Sequence, residues 1–564
     1  FSDADSAITS PTGIAFNVDG STATATFPGS ITQNNASSAV SVTANSGTVS
    51  LSGNITASTG TANAFVATGG GTIRATHTAS TITTTTGTGV NINGTTIGSG
   101  GVTFRSVSVN GASSGIILNN AGTGGFTITG DGATDGTGGT LQNVTERGID
   151  IQTTDNISLG FMDLTNTALN DGASDCTGLV NSGCNAAVHL SGVTTVVLNR
   201  MDINGSNQIG INGLDVSGFT LANSTVTDAG DEVNEGVLQI FGLTGTSSII
   251  NSTLSFPSER VAYIKNTTGS LDLTVSNSTF SDSQSSALGA DGLEVNANGT
   301  AIIDLTIDTA SQFLRNRSNG LQVLADGTSV VAVQSDGSTF DRGAGIGTGV
   351  DLSSNFGGAL DFDVSDSPKI YGRGGPAFNA FMGGFGITRG RLKDNADIQQ
   401  GGATDAGIGV RINLHDLARG IFEVDGNTVS NIGLDTGIQA LARAKGSPCG
   451  TVCTAGRLDA KISANHVTVD PLNSGYNLWV QAQEGNTVCG EITGNTAVIG
   501  ALAAFHEQTS NAGATVLLEN FTTDAATTWD NNGNTPLGSV ISSNLGLLAD
   551  GSCASVPTTG FPFD

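Results

Sequence analysis

The segments DGLEVNANGTAIIDLTI (291–307) and NGLQVLADGTSVVAVQS (319–335) repeat one phrase at a step of about 28 residues. In each, apolar residues alternate with polar ones (Leu293, Val295; Leu321, Val323), a turn of Asn, Asp or Gly follows, and a second alternation begins. Alternation at period two marks a half-buried strand, and Gly, Asn and Asp provide the left-handed backbone that turns it. A single coil of this kind cannot bury its inner face. Stacked coils can, by pairing backbones at about 4.8 Å and aligning like side chains into columns. The doublet therefore predicts a β-solenoid.

The phrase recurs. Gly-aliphatic-polar-apolar appears as GIDI at Gly148, GLEV at Gly292, GLQV at Gly320, GVDL at Gly349, GVRI at Gly409 and GIQA at Gly437. A second phrase, NST followed by an apolar residue, stands at Asn223, Asn251 and Asn277, with GSTF at Gly337. A β-sandwich, a barrel or tandem immunoglobulin-like domains would also need closely spaced strands. Against them stand the similarity of successive units and the lack of linkers. Roughly 20 to 25 coils would make a rod on the order of 100 Å.

Three textures divide the chain. Residues 1–100 are rich in Thr and Ser and suggest narrow coils, and 101–440 carry larger Ile, Leu, Val and Phe as the main helix. Residues 441–564 hold cysteines and longer phrases that read as insertions and a cap. A cap matters because a solenoid end exposes unpaired strand edges.

Within 87–151, GIILNN, GFTITGDG and GGTLQN, together with DAGDEVNEG (228–236), LTVSNSTFSDS (273–283) and VCGEITGNT (488–496), carry a resemblance. The chain resembles the large bacterial right-handed parallel β-helix repeat proteins of secreted or cell-surface chains. The likeness runs from about residue 80 onward and weakens after 500. It implies an all-β fold, a single right-handed parallel β-helix, and export; it implies no catalytic residues.

With 20 Lys plus Arg against 48 Asp plus Glu, the net charge is −28. Nucleic acid is excluded as a partner, because phosphate recognition needs a basic footprint. No run of 18 apolar residues suggests a membrane span. The start FSDADS, without Met, reads as a processed form whose signal has been removed. The six cysteines group as Cys176 and Cys184, Cys449 and Cys453, and, by elimination, Cys489 and Cys553. Such pairing favours disulfides, hence a secreted or surface location. Reduced buried thiols, or a zinc site built on CGTVC, are the alternatives.

Candidate chemistry is sparse. Asp228, Asp231 and Glu235, with Glu232 between, form a weak candidate set for Ca²⁺, to be set against a solvated loop. Asp131 and Asp135 in GDGATDG read as turn residues. The five histidines (His77, His189, His415, His466, His506) are too far apart in sequence to converge in a solenoid. The best basic segments are SERVAYIK (258–265), QFLRNRS (312–318) and GITRGRLK (386–393), which successive coils can bring to one face.

The leading expectation is an extracellular structural or adhesive protein, a filament subunit whose partner is itself, stacked head to tail, with surface polysaccharide as a further partner. The alternatives are a secreted polysaccharide lyase or hydrolase, which needs paired carboxylates near a cation, and a non-polymerising adhesin or stalk. A trimeric tail fibre is weaker, since no coiled-coil segment is present.

Overall fold

The computed structural model describes residues 3–170, 184–284, 289–308, 310–342, 346–401, 407–432, 436–443, 456–469, 476–483, 485–497, 503–510, 514–519, 534, 540–541, 545–548 and 552–556. Among them every regular element is a β-strand, and neighbouring strands pair in parallel. The fold is a right-handed parallel β-helix. The chain divides into two compact units, Phe1–Ile264 and Lys265–Asp564.

A coil has three strands. In the opening doublet they are Leu293–Ala297, Ile302–Ile307 and Gln312–Leu314. The two phrases are register partners: Leu293 faces Leu321, Val295 faces Val323, and Ile302 faces Val330. The repeat is thus one coil position met on adjacent rungs. Coils vary in length, from 23 residues between bonded positions at 201 and 224 to 39 between 150 and 189. Among the described residues the strands sort into a group of 18 and a group of 36, in general two of the second for each of the first, merged into one long strand at Ala186–Asn199 and at Ile209–Ala222. The expected 20 to 25 coils is therefore corrected to fewer than 20, because connecting loops lengthen the step while strands stay short.

Inward columns explain the patterning. In the first unit Phe65, Val90, Ile116, Ile149, Val188, Ile211 and Leu238 succeed one another in register, all buried. In the second unit Leu293, Leu321, Val350, Phe378, Val410, Ile438 and Leu478 do the same. Burying each such side chain contributes about 1.5–3 kcal/mol. Phe280, Phe313 and Phe340 stack at 5.1 and 4.9 Å with planes 10° apart. The Phe of NSTF and GSTF therefore belong to the core.

The second phrase makes a corner. Asn223, Asn251 and Asn277 take φ of 51°, 50° and 44°, a left-handed conformation that Asn tolerates better than most residues. In the first unit the Ser that follows turns inward, so that Ser224 Oγ accepts from Met201 N and Ser252 Oγ from Ser224 N. In the second unit Ser keeps this place as far as Ser367, whose N–H donates to Asn395 Oδ1, and from there on Asn takes over. Asn395, Asn427, Asn465, Asn495 and Asn534 are buried, each Nδ2 donating to the next Oδ1 at 2.7–3.0 Å.

Candidate functional site

The polar position of the Gly-aliphatic-polar-apolar phrase lies between two inward residues, so the pleat turns it outward. Successive coils align it into a column. In the second unit it runs Glu294, Gln322, Asp351, Asn379, Arg411, Gln439 and Trp479, one residue per rung. In the first unit Asp150, His189, Asn212 and Gln239 hold the same place, the last three of them buried.

These groups bond along and across rungs. Asn379 Nδ2 donates to Asp351 Oδ1 at 2.8 Å, Arg411 Nε to Gln439 Oε1 at 3.3 Å, and Asn296 Nδ2 to Glu294 Oε1 at 2.8 Å. Burial pushes the Asp351 carboxyl above the ordinary carboxylate range, against the hydrogen bonds from Asn379 and Ser353. Asp150 is the reverse case. Burial pushes it up, but the hydrogen bond from His189 Nδ1 at 2.8 Å, the charge of Arg147 at 3.0 Å and Gln152 together hold it below that range. At the far end of the second unit's column the rings of Tyr476 and Trp479 lie 5.7 Å apart, and Phe381, one outward position further along its strand, meets the His415 ring edge-on at 5.0 Å. Amide, carboxyl and guanidinium groups at the strand spacing, with aromatic faces beside them, suit an extended polar polymer.

The second strands of the same coils carry charge. Arg389 Nε donates to Asp361 Oδ1 at 2.8 Å. Arg391 lies 3.7 Å from Asp363 and 3.9 Å from Glu423, Lys461 lies 3.7 Å from Glu423, and Lys393 lies 3.9 Å from Asp425. All three cations of GITRGRLK thus meet carboxylates one rung away. In QFLRNRS, Arg315 holds Asp282 through Nε and a second nitrogen at 2.6 and 2.7 Å. In SERVAYIK, Arg260 sits 3.1 Å from Glu259 and over the Tyr263 ring. The basic segments do not assemble into one cationic face. Arg389, Arg391 and Lys393 stand on second strands, whereas Arg315 follows a third strand.

The acidic phrase folds as a loop with one inward carboxylate. Glu235 is buried, and its Oε2 accepts the backbone N–H of Asp231 at 2.9 Å and of Glu232 at 3.0 Å, while Asp228 and Asp231 are exposed. Among the described residues, the one set of three such side chains with ligand atoms within 4.8 Å of one another is Asp459, Cys489 and Cys553. The Ca²⁺ candidates Asp228, Asp231 and Glu235 are not brought together by that measure. The Asp459 set is no metal site either, because Cys489 and Cys553 form a disulfide. Asp131 works as a turn residue: its Oδ1 accepts from Thr134 N at 2.7 Å and Ala133 N at 2.9 Å, and these bonds hold its carboxyl far below the usual range.

The pairing of Cys489 with Cys553 is as the sequence suggested, and Cys184 is disulfide-bonded. Cys176, Cys449 and Cys453 lie outside the described residues. Unforeseen was the strap that this bond secures. Residues 552–556 lie over the second strands, with Ala554 N donating to Asp459 Oδ1 at 3.0 Å, Cys553 N donating to Glu519, and Val556 buried. Also unforeseen was the continuity of the polar column through AVHL, GING, VLQI and FNAF. The shared signal is apolar–polar–apolar, with no constant Gly before it.

The fold places the chain in the class of parallel β-helices, and no helix among the described residues is long and apolar enough to cross a membrane. No family model, curated protein or solved structure matches it.

Proposed function

We propose that this is an extracellular structural or adhesive protein, the subunit of a surface or matrix filament, whose polar column is its adhesive face. The observation that carries this is the column from Glu294 to Trp479, one side chain per coil, in which Gln322, Asp351, Asn379, Arg411 and Trp479 are partly exposed while Glu294 and Gln439 are buried. A polymer laid along the coils would meet the partly exposed groups at steps of about 4.8 Å or a multiple of it, and an extended polysaccharide fits that chemistry. The disulfide of Cys489 and Cys553 supports an oxidising compartment. Because coils join by parallel backbone pairing, the end coil of one copy can accept that of another by the same bonds. Such a heterologous contact leads to an open filament.

Negative-stain microscopy of the purified chain, alone and with an extended polysaccharide, tests it. Fibres alone, or polymer strands decorated with protein, are the expected images. Dispersed single particles in both samples would rule the assignment out.

A second reading, a polysaccharide lyase or hydrolase, is favoured by Asp351. A carboxyl whose burial favours its protonated form is what a general acid requires. Release of chain ends from a polysaccharide, lost in Asp351→Asn while binding persists, would establish it.

A further inference from the structure

Five of the chain's large exposed apolar side chains meet at one corner of the second unit. Ile302, Val330 and Ile387 open the second strands of their coils and, with Ala359, follow one another in register. Their exposures are 51%, 46% and 52%. Phe356 and Phe385, in the turns just before Ala359 and Ile387, are 71% and 60% exposed. The turns are neighbours, since a Cβ on Gly384 would meet Phe356 N at 3.2 Å. Phe356 also holds φ at +49°, a conformation costly for a bulky residue where Gly or Asn would sit more easily. A water-exposed Phe kept at such a position, among four other exposed apolar side chains, marks an interaction surface.

The charges beside this corner indicate what covers it. The coil of Phe356 carries Asp361 and Asp363 outward on its second strand. The coil of Phe385 carries Arg389 and Arg391 at the matching positions, where they already pair with these aspartates within the chain, and Lys393 opposite Ser365. Consider a two-fold axis along the strand direction, midway between these two rungs. It turns each copy end for end and preserves position along the strand. Phe356 of one copy then meets Phe385 of the other, Ala359 meets Ile387, Val330 and Ile302 meet Arg419 and Arg457, whose aliphatic stems can cover them, and the Asp361–Asp363 band meets the Arg389–Arg391 band. Each contact occurs twice, as an isologous interface requires. We infer that this corner and the charged face beside it bind a second copy of the chain, side by side and antiparallel. This contact is closed at two copies and independent of any head-to-tail stacking.

Analytical ultracentrifugation of the full chain across micromolar concentrations is the test, at moderate salt so that the net charge of −28 is screened. The expected result is a monomer–dimer equilibrium that Phe356→Asp with Phe385→Asp weakens by more than about tenfold, the circular dichroism and melting being unchanged. The orientation has its own readout. A mixture of Phe356→Cys and Phe385→Cys chains should cross-link between copies faster than either chain alone. A strictly monomeric wild type, self-association insensitive to the double variant, or equal cross-linking in all three samples would each overturn the proposal.

Discussion

Two columns climb the same coils of the second unit, one residue per rung. Asn395, Asn427, Asn465, Asn495 and Asn534 are buried and pass a hydrogen bond from each side chain to the next. Asp363, Arg391, Glu423 and Lys461 stand on the outer face of the second strands, half-buried, and exchange ion pairs at 3.7–3.9 Å. The spacing is shared and the energetics are opposed. A buried amide has no water to turn to when its partner goes, so a missing rung leaves unsatisfied groups on both sides. A charge at the surface is screened and rehydrated, so a missing rung matters little. Of these two columns it is therefore the amide one that adds to the stability of the apolar core, which leaves the outer columns free to vary with function.

Asn427→Ala should produce the largest effect. It strips the acceptor from Asn395 N and Nδ2 and the side-chain donor from Leu392 O and Asn465 Oδ1. We expect a loss of about 4 kcal/mol in denaturant unfolding; a loss below about 1 kcal/mol would break the contrast. Arg391→Ala, in the outer column, should cost about 1 kcal/mol or less, and the difference from wild type should shrink further as salt is added. A large, salt-independent cost would mean that the outer column is structural after all.

The smallest effect sharpens the comparison through pH. Burial holds the Asp351 carboxyl above its ordinary value, so the folded chain binds that proton more tightly than the unfolded chain does. The stability this proton contributes is complete below the ordinary value of about 3.9 and is lost as pH rises through the folded value. Asp351→Asn should therefore flatten the pH dependence of melting above pH ~4, leaving the variant slightly more stable than wild type at neutral pH. An unchanged profile would place Asp351 in ordinary solvent.

The coil was legible in the sequence because period-two alternation and Asn/Gly turns are local signals. Leu293 and Leu321, quoted as a doublet, are register partners. Coil number was less legible, since insertions lengthen the step without adding strands. Of the candidate site, Glu294, Gln322, Asp351, Arg411 and Gln439 sat in a recognised phrase, but that they form one column depends on register between rungs, which a single phrase does not encode. His189 and Trp479 carry no such phrase and emerge only when coils are stacked. The clustering of Phe356 with Phe385 likewise needs the stacking of two turns, and the strap at 552–556 depends on a bond between cysteines 64 residues apart.

The register of the opening doublet has an evolutionary consequence. Position 293 bonds against 321 exactly as 321 bonds against 350, in the same sheet and on the same face. Removing or duplicating one whole coil would thus rejoin the backbone with every column still aligned, whereas losing a single residue would turn each side chain of a strand to the opposite face. The gene can lengthen or shorten this protein in steps of one rung, so that the length of the polar column and the extent of the charged face are adjustable by recombination alone, without redesign of any side chain.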